Sequence, residues 1–143
     1  MMAKLARFAA LPAADKGRTI EAAFYLFAVR AVFGLLPLRR ALQVFGIAAS
    51  DAGRGGASAP QAGLIGRAIE RAARHVPFRA VCLQQAFAAL LMLRRRGLPA
   101  TVQLGLVREG NELKAHAWSL SGDLPVTGVA RAVGYAAVAA FAC

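Results

Sequence analysis

The chain changes periodicity once, at Gly97-Leu98-Pro99. Before that point apolar residues recur at helical spacing. Leu64, Ile65, Ala68, Ile69, Ala72 and Ala73 line one side of a helix that turns Arg67, Glu70, Arg71 and Arg74 outward. After it, side chains alternate as in strands. Thr101 to Val107 places Val102, Leu104 and Leu106 on one face, and Glu112 to Leu120 returns after a turn at Glu109-Gly110-Asn111. The expected class is therefore α+β, a helical N-terminal part with a core of helix plus antiparallel sheet.

Breakers set the expected limits of the elements. Asp15 is placed as the N-cap of a helix through Phe24, Phe27, Ala31 and Leu35 that stops near Pro37. Leu38 to Phe45 forms a short second helix, ended by Gly46. Residues 46–60, rich in Gly, Ala and Ser, read as a flexible loop. Pro77 ends the following helix, on which Glu70 and Arg74 are spaced as an (i, i+4) pair. The next helix opens near Val81, turns Cys82, Gln85, Ala86, Ala89, Leu90 and Leu93 to one face, and carries Arg94–Arg96 at its C-terminal end. Ser121-Gly122 makes a further turn into a third strand, Leu124 to Thr127. Tyr135 to Phe141 fits either a strand or a helix. The 143 residues then make one domain: 1–45 helical, 46–60 loop, 61–143 core.

Composition removes several function classes. The longest apolar stretch, Ala22 to Pro37, is broken by Arg30 and flanked by Glu21 and Arg39-Arg40. A membrane span wants about 20 apolar residues, so this is a buried or partner-facing helix. Near the start, Pro12 and Asp15 cut the apolar run before it can act as a signal core. The net charge is +11, but the arginines are scattered and no aromatic residues interleave with them as in a single-strand nucleic-acid platform. They read as a solvated basic face, without nucleic acid and without a transmembrane span. A basic helical protein docked on membrane or nucleic acid is the rival class. Two cysteines, Cys82 and Cys143, give neither a disulfide framework nor a zinc spacing. The expectation is a cytoplasmic protein with no metal and no organic cofactor.

Cys82 opens one helix, and His116-Ala117-Trp118 lies on the second strand after it. A helix N-terminus and a nearby imidazole both favour a thiolate, the reactive form of cysteine. The run Cys82-Leu83-Gln84-Gln85, the exit Arg95-Arg96-Gly97-Leu98-Pro99, the alternating strand and then Ala115-His116-Ala117-Trp118 resemble one family. It is that of the stand-alone, transglutaminase-like leader peptidases of lasso-peptide biosynthesis, the microcin-processing group. The resemblance covers roughly Ile65 to Gly128. It implies a papain-like fold and a cysteine peptidase that removes the leader from a ribosomally made bacteriocin-type precursor. Cys82 would be the nucleophile and His116 the base, with Trp118 beside the histidine. The implied partners are the precursor peptide, a separate leader-recognition protein and an asparagine-synthetase-like cyclase. The helix face around Phe24, Phe27 and Phe33 serves either as the docking surface or as core. An acyl transferase using the same dyad, and a non-catalytic transglutaminase-like interaction module, are the alternatives.

The third catalytic member departs from the family, which places an aspartate about a dozen residues after the histidine. Here that neighbourhood reads Val126-Thr127-Gly128, and the only acid after Glu112 is Asp123. A two-residue turn at Ser121-Gly122 would pair Leu120 with Asp123 and His116 with Thr127. Asp123 would then share the face of His116 about 10–13 Å along the ladder, at ~3.3 Å per residue. Asp123 is the candidate by chemistry and Thr127 by this geometry. Backbone N–H groups at the start of the Cys82 helix suit an oxyanion.

Overall fold

Proline sets the starts of the early helices. The computed structural model describes residues 2–49 and 57–142. In it α1 (Met2–Ala9) is followed by α2 (Ala13–Leu35), whose N-cap is Pro12. Asp15 is therefore not the cap. It is the third helical residue, where its carboxylate meets the positive end of the helix dipole and accepts a hydrogen bond from Arg18. Pro37 likewise caps α3 (Leu38–Phe45), which ends at Gly46 in the left-handed conformation, φ 68°.

The segment 46–60 is not a loop throughout. Ala48–Ala49 form β1, and Ser58 caps α4 (Ala59–His75). The Ser58 hydroxyl accepts from the Gln61 N–H, and the Gln61 side chain accepts from the Ser58 N–H. Residues 50–56, which hold most of the glycine behind the flexible reading, lie outside the described residues. The Glu70–Arg74 pair does not form among the described ion pairs, and both side chains are exposed.

Helix α5 (Cys82–Arg95) runs through the centre of the molecule. Every residue from Ala86 to Leu93 is buried, so the helix has no outward face over those two turns. Helices α2 and α4 cover it on one side and the sheet on the other. Leu26, Ile65, Ile69 and Met92 fill the space between the helices. Phe87 and Leu91 meet Val29, Val102 and Ala117 beneath them. Tyr25 and Ala100 pack against both groups. Full burial of one such Leu, Ile or Phe contributes about 1.5–3 kcal/mol. Phe33 belongs to this core, 5.1 Å from the Phe87 ring, whereas Phe24 is exposed and Phe27 about half exposed.

The sheet is antiparallel throughout, in the order β1-β5-β2-β3-β4. Its strands are β2 (Thr101–Glu109), β3 (Glu112–Ser121), β4 (Leu124–Thr127) and β5 (Ala136–Ala142). The stretch after Tyr135 is thus a strand. It pairs with both β2 and β1, tying the end of the sheet to the segment after α3. Helices and an antiparallel sheet give the α+β class. No helix among the described residues is long and apolar enough to cross a membrane.

The β3–β4 hairpin differs from the expected register. Ser121 pairs with Leu124, so the turn residues are Gly122 and Asp123. Leu120 then pairs with Pro125 and Ser119 with Thr127, the ladder shifting between Ser119 and Leu120. The extra residue, Val126, is a bulge that no short sequence pattern announces. Val126 is also where α4 reaches the sheet. A Cβ at Gly66 would lie 2.3 Å from the Val126 carbonyl oxygen, so only glycine permits this approach.

Candidate active site

Four segments enclose an open cleft of about 1190 Å³: the end of α4, the link 76–81, the start of α5, and β4 with the residues after it. Cys82 lines it as the first residue of α5, because Pro77 ends α4 and Val81 is extended (φ −77°, ψ 166°) before the helix begins. No side chain caps this N-terminus. Its first N–H groups have no helical acceptor and remain available to an anion. Gln85 donates from Nε2 to the Ala80 carbonyl at 2.9 Å, bracing the link just ahead of Cys82. That side chain holds backbone in place. Cys82 is free of any disulfide and partly buried, whereas Cys143 lies outside the described residues.

His116 lines the same cleft from β3. Its neighbour Ala117 packs into the core around Phe87. The imidazole lies where β4 has ended, since Thr127 is the last residue of that strand. There Nε2 of His116 approaches the Gly128 carbonyl oxygen at 2.7 Å. A carbonyl only accepts, so Nε2 carries a proton, and in the neutral ring Nδ1 is then the nitrogen with the lone pair. Two rings flank the imidazole. Trp118 stacks at 5.9 Å between centroids with 24° between planes, and Tyr135 lies at 5.5 Å. The Trp118 indole donates to Gln103 Oε1 on the paired strand, which fixes its orientation. No hydrogen bond joins Cys82 to His116 among the described residues. The two groups line one cleft.

Asp123 is not brought to this place. It is exposed in the hairpin turn and does not line the cleft. The strand residues from His116 to Ser121 alone span about 16 Å at ~3.3 Å each. Thr127 does line the cleft, but its hydroxyl shares a buried hydrogen bond with Ser119 at 2.7 Å. The acceptor for His116 is instead Gly128, with φ 70°. A Cβ there would sit 2.8 Å from the Ala117 carbonyl and 3.2 Å from Nε2 of His116. Sequence reasoning saw Gly128 at the family's aspartate position and passed over it, because a glycine offers no side chain. Its use of a backbone oxygen becomes visible only with the bulge in place. Tyr135 was missed because its contact depends on how the chain turns after the 3-10 segment Val129–Arg131.

Among the described residues no group of three or more His, Cys, Asp and Glu is arranged to hold a metal ion. Comparison with curated proteins and with solved structures gave no match. A family model does match, over residues 25–140, which include α4, α5, β2, β3, β4 and the whole cleft. A helix-opening cysteine and a strand histidine facing one cleft thus lie within a stretch that covers most of the chain, and the protein belongs to the transglutaminase-like superfamily.

Proposed function

We propose that this protein is a cysteine peptidase that removes the leader from a ribosomally synthesised lasso-peptide precursor. Membership of a superfamily made up in general of cysteine-dependent enzymes supports the chemistry. The run from Cys82-Leu83-Gln84-Gln85 to His116-Ala117-Trp118 supports the narrower assignment. The observation that carries it is the shared cleft, with Cys82 on the helix start and Nε2 of His116 bonded to Gly128, which makes Nδ1 the basic nitrogen of the neutral ring.

In this reading Nδ1 takes the thiol proton and the Cys82 sulfur attacks the scissile carbonyl. The first-turn N–H groups of α5 receive the developing oxyanion. Nδ1 then gives its proton to the leaving amine, and water resolves the thioester. Catalytic hydrogen bonds are often long in unliganded sites and tighten around substrate, which is what the missing Cys82–His116 bond requires. The leader is held by a separate recognition protein, for which the exposed stripe of Ile20, Phe24 and Phe27 on α2 is the docking face. A cyclase of asparagine-synthetase type acts next.

One observation favours a second reading. Among the described residues no carboxylate is hydrogen-bonded to His116, so the chain is alternatively a non-catalytic member that keeps the fold for binding. A lasso-peptide precursor, mixed with this chain and a leader-binding protein, separates the two. The proposal expects the leader-free core mass by mass spectrometry. Intact precursor at all times contradicts it.

A further inference from the structure

Three guanidinium groups reach the cleft from separate parts of the chain. Arg74 lies in the last turn of α4, Arg79 three residues before Cys82, and Arg131 at the end of the 3-10 segment after Gly128. All three are exposed, and none is joined to a carboxylate among the described ion pairs. Elsewhere the structure does bring acids to its basic residues. Asp15 holds Arg18, Glu21 holds Arg95 and Arg96, and Glu109 holds Lys114. Around Cys82, Glu70 is the one acid lining the cleft among the described residues, and it too is exposed. A concave site with uncompensated charge of one sign concentrates ligands of the other.

We infer that the cleft recognises its peptide through carboxylates, taking a substrate with Asp or Glu side chains near the bond presented to Cys82. The inference rests on the peptidase reading, because a thiol and an imidazole in the same cleft call for an acyl compound rather than a phosphate polymer. The guanidinium fork matches a carboxylate with two parallel N–H···O bonds. Arg74 and Arg79 come from the end of α4 and the link before Cys82, and Arg131 from the segment after Gly128, so a chain lying in the cleft meets positive charge from separate segments of its lining. A peptide's terminal carboxylate offers the same chemistry and must be told apart from side chains.

The test measures binding to the Cys82→Ala protein, which cannot turn the probe over. Three labelled decapeptides share a neutral centre. One has Glu on both sides of it and an amidated end, one has Gln instead with an amidated end, and one has Gln with a free C-terminal carboxylate. The Glu peptide should bind about tenfold tighter than its Gln counterpart at low salt, an advantage that shrinks as salt screens it. Arg79→Gln and Arg131→Gln should each reduce that ratio about threefold, while Arg39→Gln, outside the cleft, leaves it unchanged. Equal binding of the Glu and Gln peptides overturns the inference. So does a preference for the free C-terminus alone, or tighter binding of a ten-nucleotide oligothymidylate. Selective binding of the Glu peptide, with no cleavage of any peptide or precursor by the wild-type protein, keeps the carboxylate site and removes the peptidase reading.

Discussion

The imidazole of His116 donates from Nε2 to the backbone carbonyl of Gly128, 2.7 Å away and twelve residues along the chain. This bond orients the ring and sets its tautomer, two of the tasks that a carboxylate performs in a triad. Loss of that carboxylate function costs about 10⁴ in kcat for a serine enzyme. A thiol ionises more readily than a hydroxyl and depends on it less.

Gly128 cannot be replaced by a residue with a side chain. Gly128→Ala should lower Tm by several degrees, because φ 70° strains any L side chain and the Cβ meets the Ala117 carbonyl and His116. Turnover should fall about tenfold or more as the ring is displaced. Gly128→Asp should behave in the same way and not gain activity. Thermal melts and turnover of both variants check this. A Gly128→Asp protein with unchanged Tm and faster turnover would show that the site has room for the family's carboxylate.

In the proposed mechanism, Tyr135 and Trp118, which flank His116, would stabilise the imidazolium formed when Nδ1 takes the proton. A cation facing an aromatic ring within about 6 Å gains ~0.5–2 kcal/mol. Tyr135 is only partly buried, so its removal costs little stability. Tyr135→Ala should reduce kcat about 2–30-fold with Tm nearly unchanged, and Tyr135→Phe should keep most of the rate. Equal rates for Tyr135→Ala and wild type would remove the ring from the account.

The elements that sequence could place are those with strong local signals. Pro37 and Gly46 bracket α3 on their own, and the change at Gly97-Leu98-Pro99 separates helices from strands. The helix opening near Val81, which puts Cys82 at its start, is legible from Pro77 ending the helix before it. What failed depends on contacts between distant parts. The register of β4 depends on a turn centred one residue later than expected, at Gly122-Asp123, and on a one-residue bulge at Val126, which together move Thr127 from His116 to Ser119. β1 exists only because β5 is there to pair with it. The alanine-rich run of β5 carries no periodicity that separates strand from helix, so its sheet neighbours decide.

The two residues first considered for the third catalytic role should separate by stability. Thr127→Val leaves the buried Ser119 hydroxyl without its partner and should cost about 1–3 kcal/mol. Asp123→Asn, in an exposed turn, should change neither Tm nor turnover. Paired melting curves and rates measure both. Loss of turnover in Asp123→Asn at an unchanged Tm would restore Asp123 to the mechanism.

Acid should weaken the brace between α2 and the end of α5. Burial raises the carboxyl of Glu21, but the hydrogen bonds and charges of Arg96 and then Arg95 outweigh it and hold it below its ordinary value of 4.5. Arg96 grips both Glu21 oxygens at 2.8 Å. This contribution is therefore complete above the unfolded carboxyl's range and is lost as pH falls through the lower folded value. Glu21→Gln should lower stability by about 1 kcal/mol near neutrality. The two Tm curves should converge once the pH lies below that lowered folded value. A gap of constant size down to that pH would mean that packing, and not charge, sets the effect.

The most direct measurement compares the two cysteines in precursor processing followed by mass spectrometry. Cys82→Ala should abolish release of the leader while retaining the wild-type Tm. Cys143→Ala should process at the wild-type rate. Processing by Cys82→Ala, or its loss in Cys143→Ala alone, would contradict the assignment of Cys82 as the nucleophile.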